Sequence, residues 1–77
     1  MHVEFFGVPR ARAGISELEV QADTLGQLLK TLAARIPSLD MNSSFVANLN
    51  GDRFVSDPET PIGAGDRVLI LSADAGG

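Results

Sequence analysis

Gly65-Asp66-Arg67-Val68-Leu69-Ile70-Leu71 is the stretch whose reading decides the fold. Gly65-Asp66 reads as a tight turn, and the run after it is the most apolar and β-branched in the chain. A strand with apolar side chains on both faces belongs in the middle of a sheet rather than at an edge. The chain beyond it therefore leaves from the centre of the fold, anchored at its root. That departing segment is Ser72-Ala73-Asp74-Ala75-Gly76-Gly77.

Glycine has no Cβ, so its backbone enters conformations and narrow spaces closed to other residues. Two glycines in succession at an end make a thin peptide tip that finishes in a carboxylate. With a reference pKa of about 3.3–3.7, that group is charged at neutral pH. It can act as a nucleophile toward an activated phosphate, and an activated acyl-glycine has no chirality to lose. A frayed terminus or a cloning remnant leaves the same dipeptide, so the tail alone keeps both readings open.

Working back from the last strand, Ser56 to Asp66 is a long connection carrying two prolines and two glycines. Asp52, Asp57 and Glu59 lack the ligand spacing of a calcium loop and read as solvated acids. Phe45-Val46-Ala47-Asn48-Leu49 and Arg53-Phe54-Val55 are strands joined by Asn50-Gly51, a strong hairpin signal because a type I′ turn needs positive φ at both central positions. Upstream, Leu25, Leu28, Leu29, Leu32 and Ile36 fall at helical spacing and form one apolar stripe. Thr24 and Gln27 have capping-box spacing at its start, and Pro37 ends it. That stripe packs on the strands; it is core, not a cofactor site.

At the N-terminus, His2 to Gly7 alternates, with Val3 and Phe5 on one face and His2, Glu4 and Phe6 on the other. Glu17-Leu18-Glu19-Val20-Gln21 alternates again and reads as the returning arm of a hairpin. Gly7-Val8-Pro9 breaks the first strand, and Arg10 to Ser16 reads as a connector. If it is extended, Arg10 and Arg12 point the same way and can grip a partner's carboxylate or phosphate. The alternative is solvated loop charge. Arg10, Arg12 and Arg67 are the candidate partner contacts.

At 77 residues, the chain holds one domain, 1–77, with a flexible tail over 72–77. Cysteine is absent, which removes disulfides, thiolate nucleophiles and cysteine-ligated metals together. The one histidine, His2, cannot build a metal site or a triad unaided, so no metal ligands are assigned. With no nucleophile–base pair and no phosphate loop, autonomous catalysis is not expected. The net charge of −4 sits entirely in the second half: residues 1–38 balance four acids with four bases, whereas 39–77 carry six acids against Arg53 and Arg67. Such a surface disfavours nucleic acid and suits either solvent or a basic partner. Neither a signal peptide nor a membrane-spanning run is visible, so a soluble, cytoplasmic protein is expected.

The resulting order is β-β-α-β-β-β, and four landmarks accompany it: Phe5-Phe6-Gly7 with Arg12 and Gly14 downstream; Thr24-Leu25-Gly26-Gln27-Leu28-Leu29; Val46-Ala47-Asn48-Leu49-Asn50-Gly51; and the Gly65-Asp66 turn before the final strand and diglycine. Together they resemble the MoaD/ThiS family of ubiquitin-like sulfur carriers, over essentially the whole chain and closer to the MoaD side. The resemblance implies an α+β, ubiquitin-like β-grasp: a mixed sheet of four to five strands on one main helix at about residues 24–36. It also implies that a ubiquitin-activating-type enzyme, using ATP and magnesium, adenylates the carboxylate of Gly77. A sulfur-donor enzyme then converts it to a thiocarboxylate. The acceptor is an enzyme such as the large subunit of molybdopterin synthase, and Gly76, Ala75 and Asp74 thread the partner's channel.

MoaD sequences commonly place prolines and a small or β-branched residue before the diglycine, where this chain has Ser72-Ala73-Asp74-Ala75. Asp74 therefore calls for a receiving channel that supplies a base or stays wet. A carrier for thiamine or another sulfur-containing metabolite, and a protein modifier joined through Gly77 to lysines, share the same activation step. An interaction module without tail chemistry is the remaining alternative.

Overall fold

The computed structural model describes residues 1–41 and 44–73. Strand β1 (His2–Phe5) buries Val3 and Phe5 and leaves His2 and Glu4 half-exposed on its other face, as the alternation predicts. The presumed connector is a helix, α1 (Val8–Ala13). Proline is tolerated in a helical first turn, where its missing N–H would have no partner in any case, so Pro9 starts this element instead of breaking the chain. Gly14 closes the helix at φ 74°, a left-handed conformation that favours glycine. Strand β2 (Glu17–Glu19) then returns antiparallel to β1.

The main helix, α2 (Leu25–Arg35), begins where the capping residues predict. Thr24 Oγ1 accepts from the Gln27 N–H at 3.2 Å, and the Gln27 side chain accepts from the Asp23 N–H at 2.9 Å. Leu25, Leu28 and Leu32 are buried, each contributing about 1.5–3 kcal/mol of transfer energy, while Leu29 and Ile36 pack at the margin. A short 3₁₀ turn, Pro37–Leu39, drops Leu39 into the same core. Strands β3 (Phe45–Leu49) and β4 (Arg53–Val55) form the expected hairpin. Asn50 and Gly51 have φ of 59° and 70°, and the Asp52 N–H closes the turn on Leu49 O at 3.0 Å.

Strand β5 (Arg67–Ser72) completes a single five-stranded sheet in the order β2-β1-β5-β3-β4. It is central, parallel to β1 and antiparallel to β3. Val68 and Ile70 point from it into the core against α2, and Ala47, Leu49, Val3 and Phe5 extend that face. This mixed sheet with one main helix is the β-grasp, and every strand expected from the sequence is present. The long loop after β4 lies across the start of α2, with the Gly26 N–H on Pro58 O and the Leu25 N–H on Thr60 O, both at 2.9 Å.

Candidate functional site

The site is built around the end of β5. Strand β1 flanks β5 as far as Ile70, where the Phe6 N–H donates to Ile70 O at 3.0 Å, and β3 holds it on to Ser72, which stands opposite Phe45. The Ala73 N–H donates to Ser44 O at 2.8 Å. Ser72 and Ala73, assigned to the tail from the sequence, thus belong to the sheet and its margin. Asp74, Ala75, Gly76 and Gly77 lie outside the described residues.

The other end of β5 is clipped to the β3–β4 turn. The Asn50 amide donates to Asp66 Oδ1 at 3.0 Å, and its oxygen accepts the Arg67 N–H at 2.8 Å. The Gly63 N–H donates to Asp66 Oδ2 at 2.8 Å. The Asn50 hydrogen bond, and after it that of Gly63, hold the Asp66 carboxyl below its ordinary range. A turn residue read from the sequence as a hairpin signal therefore also fixes the root of the central strand.

The face of the sheet away from α2 is graded along β5. Strand register sets Phe6, Leu71 and Val46 side by side nearest the exit of the chain. The next row runs Glu17, Glu4, Leu69, Asn48 and Phe54, and the last holds Glu19, His2 and Arg67. The face is apolar toward the end of β5 and ionic toward its start. Phe6 and Phe54 are 60% and 66% exposed. Between Leu69 and Phe54, the Asn48 Oδ1 is buried without a hydrogen-bond partner, an arrangement that costs about 1–3 kcal/mol until a donor arrives.

The three arginines are not brought together. On a helix, positions two apart diverge by about 200°, so Arg10 and Arg12 do not share a face. Arg12 is exposed, but its guanidinium lies against the fold: it donates to Leu39 O at 3.2 Å and lies 5.5 Å from the centre of the Phe45 ring. That places Arg12 beside the exit end of β5. Arg10 is exposed next to Phe6. Arg67 stands at the opposite end of the strand, about 17 Å from Ser72 at the usual rise, with its Nε 3.5 Å from Glu4 Oε1. Sequence reasoning missed the two exposed phenylalanines on this face, although the outward position of Phe6 in its alternation signals one of them.

The sequence model of the ThiS family matches residues 3–77. The chain belongs to the ThiS family of ubiquitin-like sulfur carriers. A search of the curated proteins finds no match. Among solved structures, the fold is similar to that of small archaeal modifier protein 1 from Methanosarcina acetivorans, at 22% identity and a TM-score of 0.82, covering 99% of this chain and 94% of that one. It is similar to a chain of the Amycolatopsis orientalis BexX/CysO complex, at 20% identity and 0.79, covering 99% and 98%. A chain from the complex of subunits 1 and 2 of molybdopterin-converting factor of Helicobacter pylori 26695 matches at 23% and 0.72, covering 99% and 96%. For this ThiS-family chain these likenesses establish the β-grasp, and two of them are complexes with partner proteins. Among the described residues, no helix is long and apolar enough to cross a membrane.

Proposed function

We propose that this ThiS-family chain carries sulfur for molybdopterin biosynthesis, with the carboxylate of Gly77 as the reacting group. A partner adenylating enzyme supplies ATP and magnesium. A carboxylate oxygen of Gly77 attacks the α-phosphorus of ATP, pyrophosphate leaves, and an acyl-adenylate forms. Sulfide equivalents from a donor enzyme then attack the acyl carbon and release AMP, leaving a thiocarboxylate. Transfer of that sulfur to the acceptor returns the carboxylate, with its oxygen drawn from water.

The observation that carries this reading is the family match, which extends through Gly77, on a chain whose central strand points toward that end. The apolar row of Phe6, Leu71 and Val46, with Phe54 in the row behind it, is where the activating enzyme and then the acceptor dock, so that the tail enters their channel. Asp74 selects a channel that is basic or wet at that position. The Helicobacter likeness supports the large subunit of molybdopterin synthase as acceptor. The test is to mix the chain with a ubiquitin-activating-type adenylating enzyme, magnesium, ATP and a sulfur donor, and read the intact mass. Wild type gains the mass of one oxygen replaced by sulfur, and a Gly77 deletion does not. Equal behaviour of the two chains refutes the proposal.

The likeness to a small archaeal modifier protein favours one second reading, attachment through Gly77 to lysines of other proteins. Isopeptide-linked conjugates in lysate, without free thiocarboxylate, decide for it.

A further inference from the structure

On the ionic end of the open sheet face, β1 and β2 set four side chains in a block: His2 opposite Glu19, and Glu4 opposite Glu17. Like charges directly across a strand pair are destabilising unless a cation lies between them. His2 Nδ1 is 2.8 Å from Glu19 Oε1. A carboxylate can only accept, so Nδ1 carries the hydrogen and Nε2 is the atom left for a second partner. Nε2 faces two carboxylate oxygens, Glu4 Oε1 at 3.4 Å and Glu17 Oε2 at 3.5 Å. His2, Glu4 and Glu17 each offer one ligand atom within 4.8 Å of the other two.

Those spacings suit a metal. Zinc bonds imidazole nitrogen and carboxylate oxygen at about 2.0–2.2 Å, so neighbouring ligand atoms of a tetrahedral site stand about 3.3–3.6 Å apart. Two of the three edges already match, and Glu17, whose side chain is 64% exposed, can rotate to close the third. The Glu19 contact supplies what a ligating histidine requires of its other nitrogen, a carboxylate that fixes tautomer and ring orientation. We propose that His2 Nε2, Glu4 and Glu17 form a zinc-binding site that braces the three-residue edge strand β2 to β1. The site leaves a fourth position for water. It stands beside the start of β5, away from the tail, and is independent of sulfur carriage. Arg67, 3.5 Å from Glu4 Oε1, competes with the metal for that carboxylate.

The test is a zinc titration of the full chain at neutral pH by calorimetry, with the His2 ring nitrogens followed by NMR. One zinc binds per chain, and the shift change falls on Nε2. His2→Gln, Glu4→Gln and Glu17→Gln each weaken binding at least tenfold. Glu19→Gln weakens it about 10–100-fold through the histidine, as lost outer-shell partners do. Arg67→Ala tightens it. Unfolding of each variant without metal confirms that the fold is retained. Three results overturn the proposal: no zinc uptake, which leaves a protonated imidazole as the bridging cation; uptake unchanged by His2→Gln; or ligation through Nδ1, the mark of chelation by the amino terminus.

Discussion

Replacing Gly26 with alanine sets two effects of opposite sign against each other, and the structure decides between them. Glycine in a helix interior is about 1 kcal/mol worse than alanine, so helix propensity alone makes Gly26→Ala stabilising by something under that amount in the first turn of α2. A Cβ at this position, however, meets Pro58 Cβ at 3.1 Å and Pro58 O at 3.2 Å. Relief requires Pro58 to retreat, and the loop is pinned there. The Gly26 N–H donates to Pro58 O and the Leu25 N–H to Thr60 O at 2.9 Å, while the Ile62 N–H donates to Asp23 O at 3.0 Å. Two of these bonds satisfy first-turn donors that the helix itself leaves open. Overpacking against a held neighbour costs about 1–3 kcal/mol, so the variant should lose a net of about 1–2 kcal/mol. For a domain of this size that is a fall of roughly 4–16 °C in Tm, read by thermal unfolding with circular dichroism. Pro58→Gly in the Gly26→Ala background removes the nearer contact and recovers part of the loss relative to Pro58→Gly alone. A Gly26→Ala chain more stable than wild type refutes the reasoning, because it shows that the loop yields.

Leu28→Ala empties the middle of the apolar stripe at a fully buried position and should cost about 2–5 kcal/mol in urea unfolding, a large share of the total stability of a domain this small. Asp66 titrates below its ordinary carboxylate range in the folded chain, so its contribution is present above the unfolded value and is lost as pH falls through the folded one. Asn50→Ala should raise the Asp66 pKa toward normal in an NMR titration and flatten the acid limb of the stability curve. Phe6→Asp and Phe54→Asp alter exposed side chains, so unfolding should move by no more than about 0.5 kcal/mol, whereas the kcat/KM of the adenylating enzyme for the chain should fall at least tenfold. Unchanged turnover in both would remove the open sheet face from the docking account.

The fold was legible because its strongest signals are local. Val68 to Leu71, apolar on both faces, announced a central strand, and the Thr24–Gln27 cap with the leucine stripe announced the helix against it. Asn50-Gly51 announced the hairpin through the positive φ both residues adopt. Helix α1 was missed because Pro9 reads as a breaker unless its place in the first turn is known, and only six residues carry the element. Its two arginines changed meaning with it. Of the candidate site, the diglycine could be proposed from the sequence, but the surface around the end of β5 could not. Phe6, Leu71 and Val46 lie on three different strands or their margins, and only the register of β5 with β1 and β3 sets them in one row. The block of His2, Glu4, Glu17 and Glu19 was hidden for the same reason, since a lone histidine says nothing about what a hairpin sets across from it.

The central claim is that the acid of Gly77 is the reacting group. Its most direct measurement is the intact mass of the chain after incubation with an adenylating enzyme, magnesium, ATP and a sulfur donor, followed by fragmentation to locate the change. The account predicts a single oxygen-for-sulfur exchange confined to Gly77, absent when ATP is withheld and absent from a chain extended by one residue beyond it. An exchange elsewhere in the chain, or one that persists in the extended form, would contradict it.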